Sequence, residues 1–548
     1  MPPAFPLSPR LLALPLWASL VAHRGVWQWG APLLEVAVGS RSPLPLPHQL
    51  RALIDAPGVR GLWLKVDRLV LQGGQATLHE TIAAVQAMRA SGRLVVAEFE
   101  FVGNAELLLA AACDRAWLRP TAQVFCVGLG TTMRFYGDLL ARFGASFDVE
   151  AVGEFKSFGE MFSRGFASSE NREAMSELLQ GLSEEWVDAL AALRPSLGAE
   201  GVRAAVANAP LSAAEAVKLG FFTGACYPDE VAAEVHTLVG SEPRVVPFAG
   251  WYRAWARADR LERWLLGHGL IAVVWLSGTV MDGAGIPAAA SIAARPVVAA
   301  LDALREERGV RGVVLRVSSP GGSAPASDLI WRAVARLGKE KPVVASYGDV
   351  SASGGVYLSA SASEIVCHPA SITGSIGVIA GKPVLRGALE RQGVHSEDLL
   401  MAPQADLFGE TAFSPQARRR LRAGLEETYR GFVERVAAGR KRTYEEIEPH
   451  ARGRVWAGRR AHSLGLVDHL GGLDMALERA AALAGISAFR TRDVRPVAPG
   501  GLLQRLARRF VVAAVPEVAL LRLPDSARLL LSQPAEALAL WPWEIEVR

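Results

Sequence analysis

The residues best suited to covalent chemistry lie in the second half of the chain. Asp349-Val350-Ser351-Ala352-Ser353-Gly354-Gly355-Val356-Tyr357 crowds small residues around one hydroxyl, and an apolar run, Pro342 to Ala345, leads into it. A strand-to-helix turn that presents a nucleophile needs this composition, which makes Ser353 the candidate nucleophile and Ser351 its rival two residues earlier. Upstream, Val313-Val314-Leu315-Arg316-Val317 reads as a buried strand running into Ser318-Ser319-Pro320-Gly321-Gly322-Ser323. The glycines of that loop can aim backbone N–H groups at an oxyanion. Strand, Gly-Gly turn, helix, strand, Ser-Gly-Gly is an α/β order.

A serine hydroxyl needs a base. The chain meets nearly every cationic need with arginine: among 59 basic residues the only lysines are Lys65, Lys156, Lys218, Lys339, Lys341, Lys382 and Lys441. Arginine stays charged at any accessible pH, so a retained lysine is most telling where a neutral amine is required. Lys156 sits in Gly153-Glu154-Phe155-Lys156-Ser157, just after a strand expected over Phe147 to Val152. A free lysine titrates near 10.4, and burial away from water and counter-charge must lower that value for it to accept a proton from serine. Glu154 and Glu160 would oppose the shift, so both are expected to point elsewhere. Lys382, in the same half as Ser353, is the rival base.

The elements that must position these groups occur twice. Arg60-Gly61-Leu62-Trp63-Leu64-Lys65-Val66 echoes Arg311-Gly312-Val313-Val314-Leu315-Arg316-Val317, and Val95-Val96-Ala97 echoes Val343-Val344-Ala345. Asp114 to Pro120 parallels Ser363 to Pro369, and Lys218-Leu219-Gly220 parallels Ser463-Leu464-Gly465, all at offsets of 245 to 251 residues. Duplication with small insertions explains such offsets. At these offsets Ser353 falls opposite Ala105, with Glu106 and Leu107 where the second copy has glycines, and Lys156 falls opposite Ala405. Each half lacks what the other keeps, as one site assembled from both would require.

Ser-Pro-Gly-Gly-Ser from Ser319, Ala-Ser-Gly-Gly from Ala352 and Thr-Gly-Ser-Ile-Gly from Thr373, in that order, resemble the signal peptide peptidase A (protease IV) family in its long tandem form. The resemblance covers residues 31 to 490. It implies an α/β fold of two tandem Clp-protease/crotonase-like repeats in one chain, and a serine endopeptidase using a Ser/Lys dyad through an acyl-enzyme. The family carries its general-base lysine in the Lys-Ser context of the first repeat, which matches Lys156, and a serine that helps hold it, which matches Ser375. The superfamily's oxyanion hole, together with the close approach that glycine alone permits, points to the N–H groups of Gly354 and Gly321, with Gly322 the alternative to the latter. Also implied are peptide substrates such as released signal peptides and other short apolar chains, a ring-like homo-oligomer (a tetramer in the family), and association with the bacterial cell envelope membrane. No cofactor and no metal are implied. Two other classes are weighed: a crotonase-type acyl-CoA enzyme, which needs no serine–lysine pair, and a non-catalytic scaffold of the same fold.

The 548 residues divide on this reading into an amino-terminal apolar segment (1–30), a first repeat (31–245) supplying the lysine, a linker helix (246–268), a second repeat (269–490) supplying the serine and an amphipathic tail (491–548). The apolar run Leu11 to Ala22 has signal-peptide length and contains Pro15, whereas a membrane span needs about 20 residues. Trp251 to Leu266 mixes arginines and aromatics at helical spacing, either to lie on a membrane surface or to pack its tryptophans on the first repeat. Gly501 to Leu523 is a second amphipathic stretch. Charge-rich helices over Glu170 to Leu193 and Ser414 to Arg440 are expected as packing arms whose arginines mostly face solvent. A net charge of +4 with 55 acidic residues gives no argument for nucleic acid. Cys113, Cys126, Cys226 and Cys367 lack zinc or disulfide spacing and are expected as buried thiols. His368, His395 and His469 have no partner motif and are expected in structural roles. No phosphate-binding Gly-x-x-x-x-Gly-Lys loop supports ATP dependence.

Overall fold

A computed structural model describes residues 33–38, 47–56, 59–67, 74–240, 245–266, 269–283, 291–402, 404–496 and 538–540. The amino-terminal apolar segment, Gly501 to Leu523, and most of the proline-rich stretch before Pro47 lie outside them. Two compact units emerge, one of residues up to Leu129 and from Ser183 to His268, the other of Gly130–Leu182 and Gly269–Glu546. Residues 130–182, inside the span read as the first repeat, are thus built into the second unit.

In the first unit, strands Leu33–Val38, Gly61–Val66, Leu94–Phe99 and Arg115–Leu118 pair in parallel, with Val245–Pro247 and Gly224–Ala225 at the two edges. Their Val/Leu/Trp runs are buried on both faces, as central strands of a helix-covered parallel sheet are. Helix Phe248–Leu266 closes this core with Trp251 and Trp255, both buried, so those two tryptophans do not face a membrane. Where the second unit has its Ser-Gly-Gly turn, the first has the helix Asn104–Ala112, whose Glu106 carboxylate accepts the Gly103 N–H at 2.9 Å. No hydroxyl stands at that turn.

The second unit holds two sheets. The larger runs Val455–Ala457, Ile372–Gly374, Val343–Ala352, Val310–Ser319, Gly269–Ser277, Phe489–Val494, with Glu364–Cys367 and His469–Leu470 branching from it. Val310–Ser319 and Val343–Ala352 pair in parallel from Val313↔Val343 to Val317↔Tyr347, then slip so that Ser319 faces Ser351. That irregularity falls where both strands reach the candidate site. The other sheet runs Ser291–Ala293, Thr279–Met281, Gly321–Ser323, Leu538–Leu540, Val378–Val384, Ser146–Val152. Gly321–Ser323, expected as loop, is therefore a short strand.

Strand Ser146–Val152 lies antiparallel to Val378–Val384 with Val152 opposite Val378. Helix Pro415–Gly439 braces it. Arg418 donates to both Asp148 oxygens at 2.7 and 2.8 Å and to Glu150 at 3.0 Å, and Arg422 reaches Glu150 at 2.6 Å. These two arginines are paired to carboxylates while remaining partly in contact with solvent. Further along, the same face of the helix buries Phe432, Val433 and Val436 in the core.

Candidate active site

Ser353 caps the amino terminus of helix Gly354–Ser359 immediately after strand Val343–Ala352, at φ 54° and ψ −113°. A positive φ is uncommon for a non-glycine residue and is maintained only where the surroundings fix it. Here the Ser353 N–H donates to the Gly374 carbonyl at 2.8 Å, and the Tyr357 N–H donates to the Ser353 carbonyl at 2.9 Å. Gly354 must lack a side chain, since a Cβ there would stand 2.8 Å from Ser327 Oγ, 3.1 Å from Gly322 N and 3.2 Å from Gly321 Cα. The turn at Ser353 and the Gly-Gly strand are in contact for that reason.

Lys156 follows the strand Ser146–Val152 by a four-residue turn. Its Nζ donates to Ser353 Oγ at 2.7 Å, to Ser375 Oγ at 2.9 Å and to the Ser375 carbonyl at 3.1 Å. All three residues are buried. Burial holds the Lys156 amine well below the usual lysine range. The two nearby carboxylates do not oppose it: Glu154 pairs with Arg452, and Glu160 accepts from the Ser168 N–H and from Asn171 Nδ2. In the neutral amine, two N–H groups match the two acceptors on Ser375, which leaves the lone pair for the Ser353 hydroxyl.

The rivals are engaged elsewhere. Ser351 Oγ donates to the Val317 carbonyl at 2.7 Å. Lys382 Nζ donates to the Asp406 carbonyl at 2.7 Å and lies 4.7 Å from the Phe413 ring centre. Gly321, at φ 111°, donates its N–H to Ser319 Oγ at 3.1 Å. An oxyanion would have to compete with that hydroxyl for the Gly321 proton, whereas the Gly322 nitrogen already lies against Gly354.

Sequence reasoning did not single out Ser319, Ser327 or the turn Ala451-Arg452-Gly453-Arg454, which all touch the site through backbone or short side chains. The one legible signal was a glycine between two arginines. Burial pushes the Cys113 and Cys367 thiols up to about 12, so neither is a nucleophile near neutral pH. His368 Nδ1 accepts the Ala370 N–H at 3.1 Å and His469 pairs with Glu364, which are structural tasks.

Comparison with known proteins identifies the family. A model of peptidase family S49 matches residues 87–242 and again residues 335–487. The chain belongs to peptidase family S49. This S49 chain is 29% identical to the chloroplastic serine protease SPPA of Arabidopsis thaliana, over 81% of its own length and 66% of the relative's. It is 32% identical to Protease 4 of Salmonella typhi, over 73% and 65% respectively. The chain thus spans just under two thirds of the length of these curated relatives. A solved ClpP1 variant from Listeria monocytogenes is 14% identical with a TM-score of 0.25, over 37% of this chain and 94% of that one. The doubled S49 match agrees with the α/β tandem repeat expected from the echoing segments.

Proposed function

We propose that the chain is a serine endopeptidase in which Ser353 is the nucleophile, Lys156 the general base and Ser375 the group that holds the amine. One observation carries the reading: among the described residues, the only side chains meeting the buried Lys156 amine within hydrogen-bond distance are two serine hydroxyls, at 2.7 and 2.9 Å, with no carboxylate among them. A buried amine so placed is a base.

Ser353 Oγ adds to the peptide carbonyl as Nζ takes its proton. The resulting oxyanion is stabilised by the Gly354 N–H and an N–H of the Gly321-Gly322 pair. Collapse breaks the C–N bond, and the proton on Nζ passes to the departing amine, which leaves an acyl-Ser353. Water then attacks the acyl carbonyl as Nζ takes its proton, and collapse breaks the C–Oγ bond, with the Nζ proton passing to Ser353 Oγ and the acid released.

The substrate reading is short apolar peptides, released signal peptides among them. Support comes from the strand Leu538–Leu540, which lies antiparallel between Gly321–Ser323 and Val378–Val384, with Leu540 opposite Gly321 and Leu538 opposite both Ser323 and Ile379. A slot that takes one strand of this composition suits an extended apolar peptide, bound by main-chain pairing. Assembly as a homo-oligomer and association with a membrane belong to the same reading; among the described residues no helix is long and apolar enough to cross a membrane. The deciding experiment is labelling with a serine-directed fluorophosphonate together with hydrolysis of a short apolar peptide. Wild type should do both and Ser353→Ala neither. Hydrolysis by Ser353→Ala would remove the assignment.

A further inference from the structure

We infer that the turn Arg452-Gly453-Arg454 is the positioning device that sets Lys156 against Ser353, with Arg454 as its anchor. The inference rests on the serine–lysine reading above.

Lys156 and Ser375 come from distant parts of the sequence, and this turn is bonded to Ser375 and to Phe155, the residue before Lys156. The Phe155 N–H donates to the Arg452 carbonyl at 2.9 Å, the Gly453 N–H to the Ile376 carbonyl at 2.7 Å, and the Ser375 N–H to the Arg454 carbonyl at 2.6 Å. The residues on either side of the amine's seat are therefore hydrogen-bonded to three consecutive residues of one turn. Gly453 has φ 80°, and a Cβ on it would lie 2.5 Å from Lys156 N and 2.7 Å from Lys156 Cα. The lysine backbone rests directly on that glycine. Arg452 is itself at φ 50°, a conformation held by its bidentate pairing with Glu448 at 2.9 and 3.0 Å.

Arg454 fixes the turn from its far side. Its guanidinium reaches Glu177 at 2.5 Å and Glu173 at 2.7 Å, and lies 4.5 Å from the ring centre of Phe155, the residue before Lys156. Backbone and side chain of one arginine thus grip both the lysine-bearing turn and the lysine-holding serine. A dyad needs its two atoms within a few tenths of an ångström of the productive distance, and a displacement of about 1 Å at such a site costs on the order of 100-fold in rate.

Arg454→Met keeps the aliphatic stem and removes the fork, and the freed Glu173 and Glu177 carboxylates can turn to water, so folding should persist. Expected are a fall in kcat of about tenfold or more, KM within about twofold, and an acidic limb of the kcat/KM profile displaced to higher pH as the amine loses its dry seat. Arg454→Lys should recover part of kcat. Gly453→Ala should lose about 100-fold in kcat. In a Ser353→Ala background, Arg454→Met should leave the Kd of an uncut fluorescent peptide unchanged, because the groove is not altered. A merely structural role would lower Tm and leave both the pH limb and kcat per folded molecule where they are, and that outcome overturns the inference. An inert Ser353→Ala chain together with wild-type kinetics in Arg454→Met overturns this inference alone, whereas turnover by Ser353→Ala removes the serine–lysine reading and this one with it.

Discussion

Lys156 Nζ lies 2.7 Å from Ser353 Oγ although 197 residues separate the two in sequence. The contact is made inside one compact unit, because the segment Gly130–Leu182 adds its strand Ser146–Val152 to the sheet edge at Val378–Val384. Loss of either partner should therefore be all-or-none for chemistry. Ser353→Ala is expected to lose fluorophosphonate labelling and peptide hydrolysis with an unchanged Tm. Ser351→Ala, which leaves the buried Val317 carbonyl without its donor, should cost stability on the order of 1–3 kcal/mol and keep labelling. The opposite pattern in a labelling gel would move the nucleophile to Ser351.

Lys156→Arg and Lys156→Ala should both be inactive, the first because guanidinium keeps its proton and the second because nothing accepts one. Lys382→Met should remain active while melting lower, since Lys382 serves the Asp406 carbonyl. Activity in Lys156→Arg, or its loss in Lys382→Met, would exchange their roles.

How much of this was legible beforehand follows from where the information lies. Ser353 and Lys156 carry reactive groups, and the duplication exposed them: each copy keeps one and has alanine at the other's place. The strands around them announce themselves as uninterrupted apolar runs, such as Val343 to Ala345. The short strand Gly321–Ser323 and the turn 451–454 are different. Much of their contribution is made by backbone N–H and C=O groups, which every residue has, to partners such as Val280, Phe155 and Ile376 that are more than 40 residues away in sequence. Periodicity cannot register such contacts. The roles of Arg418 and Arg422 were hidden for a related reason, since an arginine on a helix reads the same whether a carboxylate or water faces it.

Burial holds the Lys156 amine below its ordinary value, and the sign of two pH effects follows. If Lys156 is the base, as proposed, the neutral amine is the working form, and kcat/KM on a short peptide should rise with pH and level off above the lowered pKa. The unfolded chain keeps its lysine protonated up to about 10.4, so between the folded and unfolded values it binds more protons than the native state. Stability contributed by this residue therefore increases with pH across that window. The Tm difference between Lys156→Met and wild type should shrink as pH is raised through it. A difference that is flat with pH would mean the amine is not held neutral in the fold.

Gly354→Ala tests the oxyanion side. The new methyl would meet Ser327 Oγ at 2.8 Å and Gly322 N at 3.1 Å, so it forces apart the helix start at Gly354 and the strand Gly321–Ser323, whose amides are to face the oxyanion. Ser327 can rotate its hydroxyl only by giving up the 2.8 Å bond to the Ser323 carbonyl. The expected result is a fall in kcat of about 100- to 1000-fold with a smaller change in KM, as when an oxyanion donor is removed. An unaffected kcat would place the oxyanion elsewhere.

Occupancy of the slot between Gly321–Ser323 and Val378–Val384 gives the last expectation. Strand Leu538–Leu540 pairs there through its backbone, and its carboxyl end lies opposite Gly321, the residue whose Cα would stand 3.2 Å from a Gly354 Cβ. On the substrate reading proposed above, a peptide that adds a strand to the same edges has to displace this segment, which would then compete with it from within the chain. Competition of that kind raises KM and leaves kcat alone. A chain ending at residue 530 should therefore show a lower KM for a short apolar peptide at unchanged kcat, and a synthetic peptide covering residues 535–545 should inhibit it competitively. Equal KM values for the two chains, or inhibition that lowers kcat only, would show that substrate enters by another route.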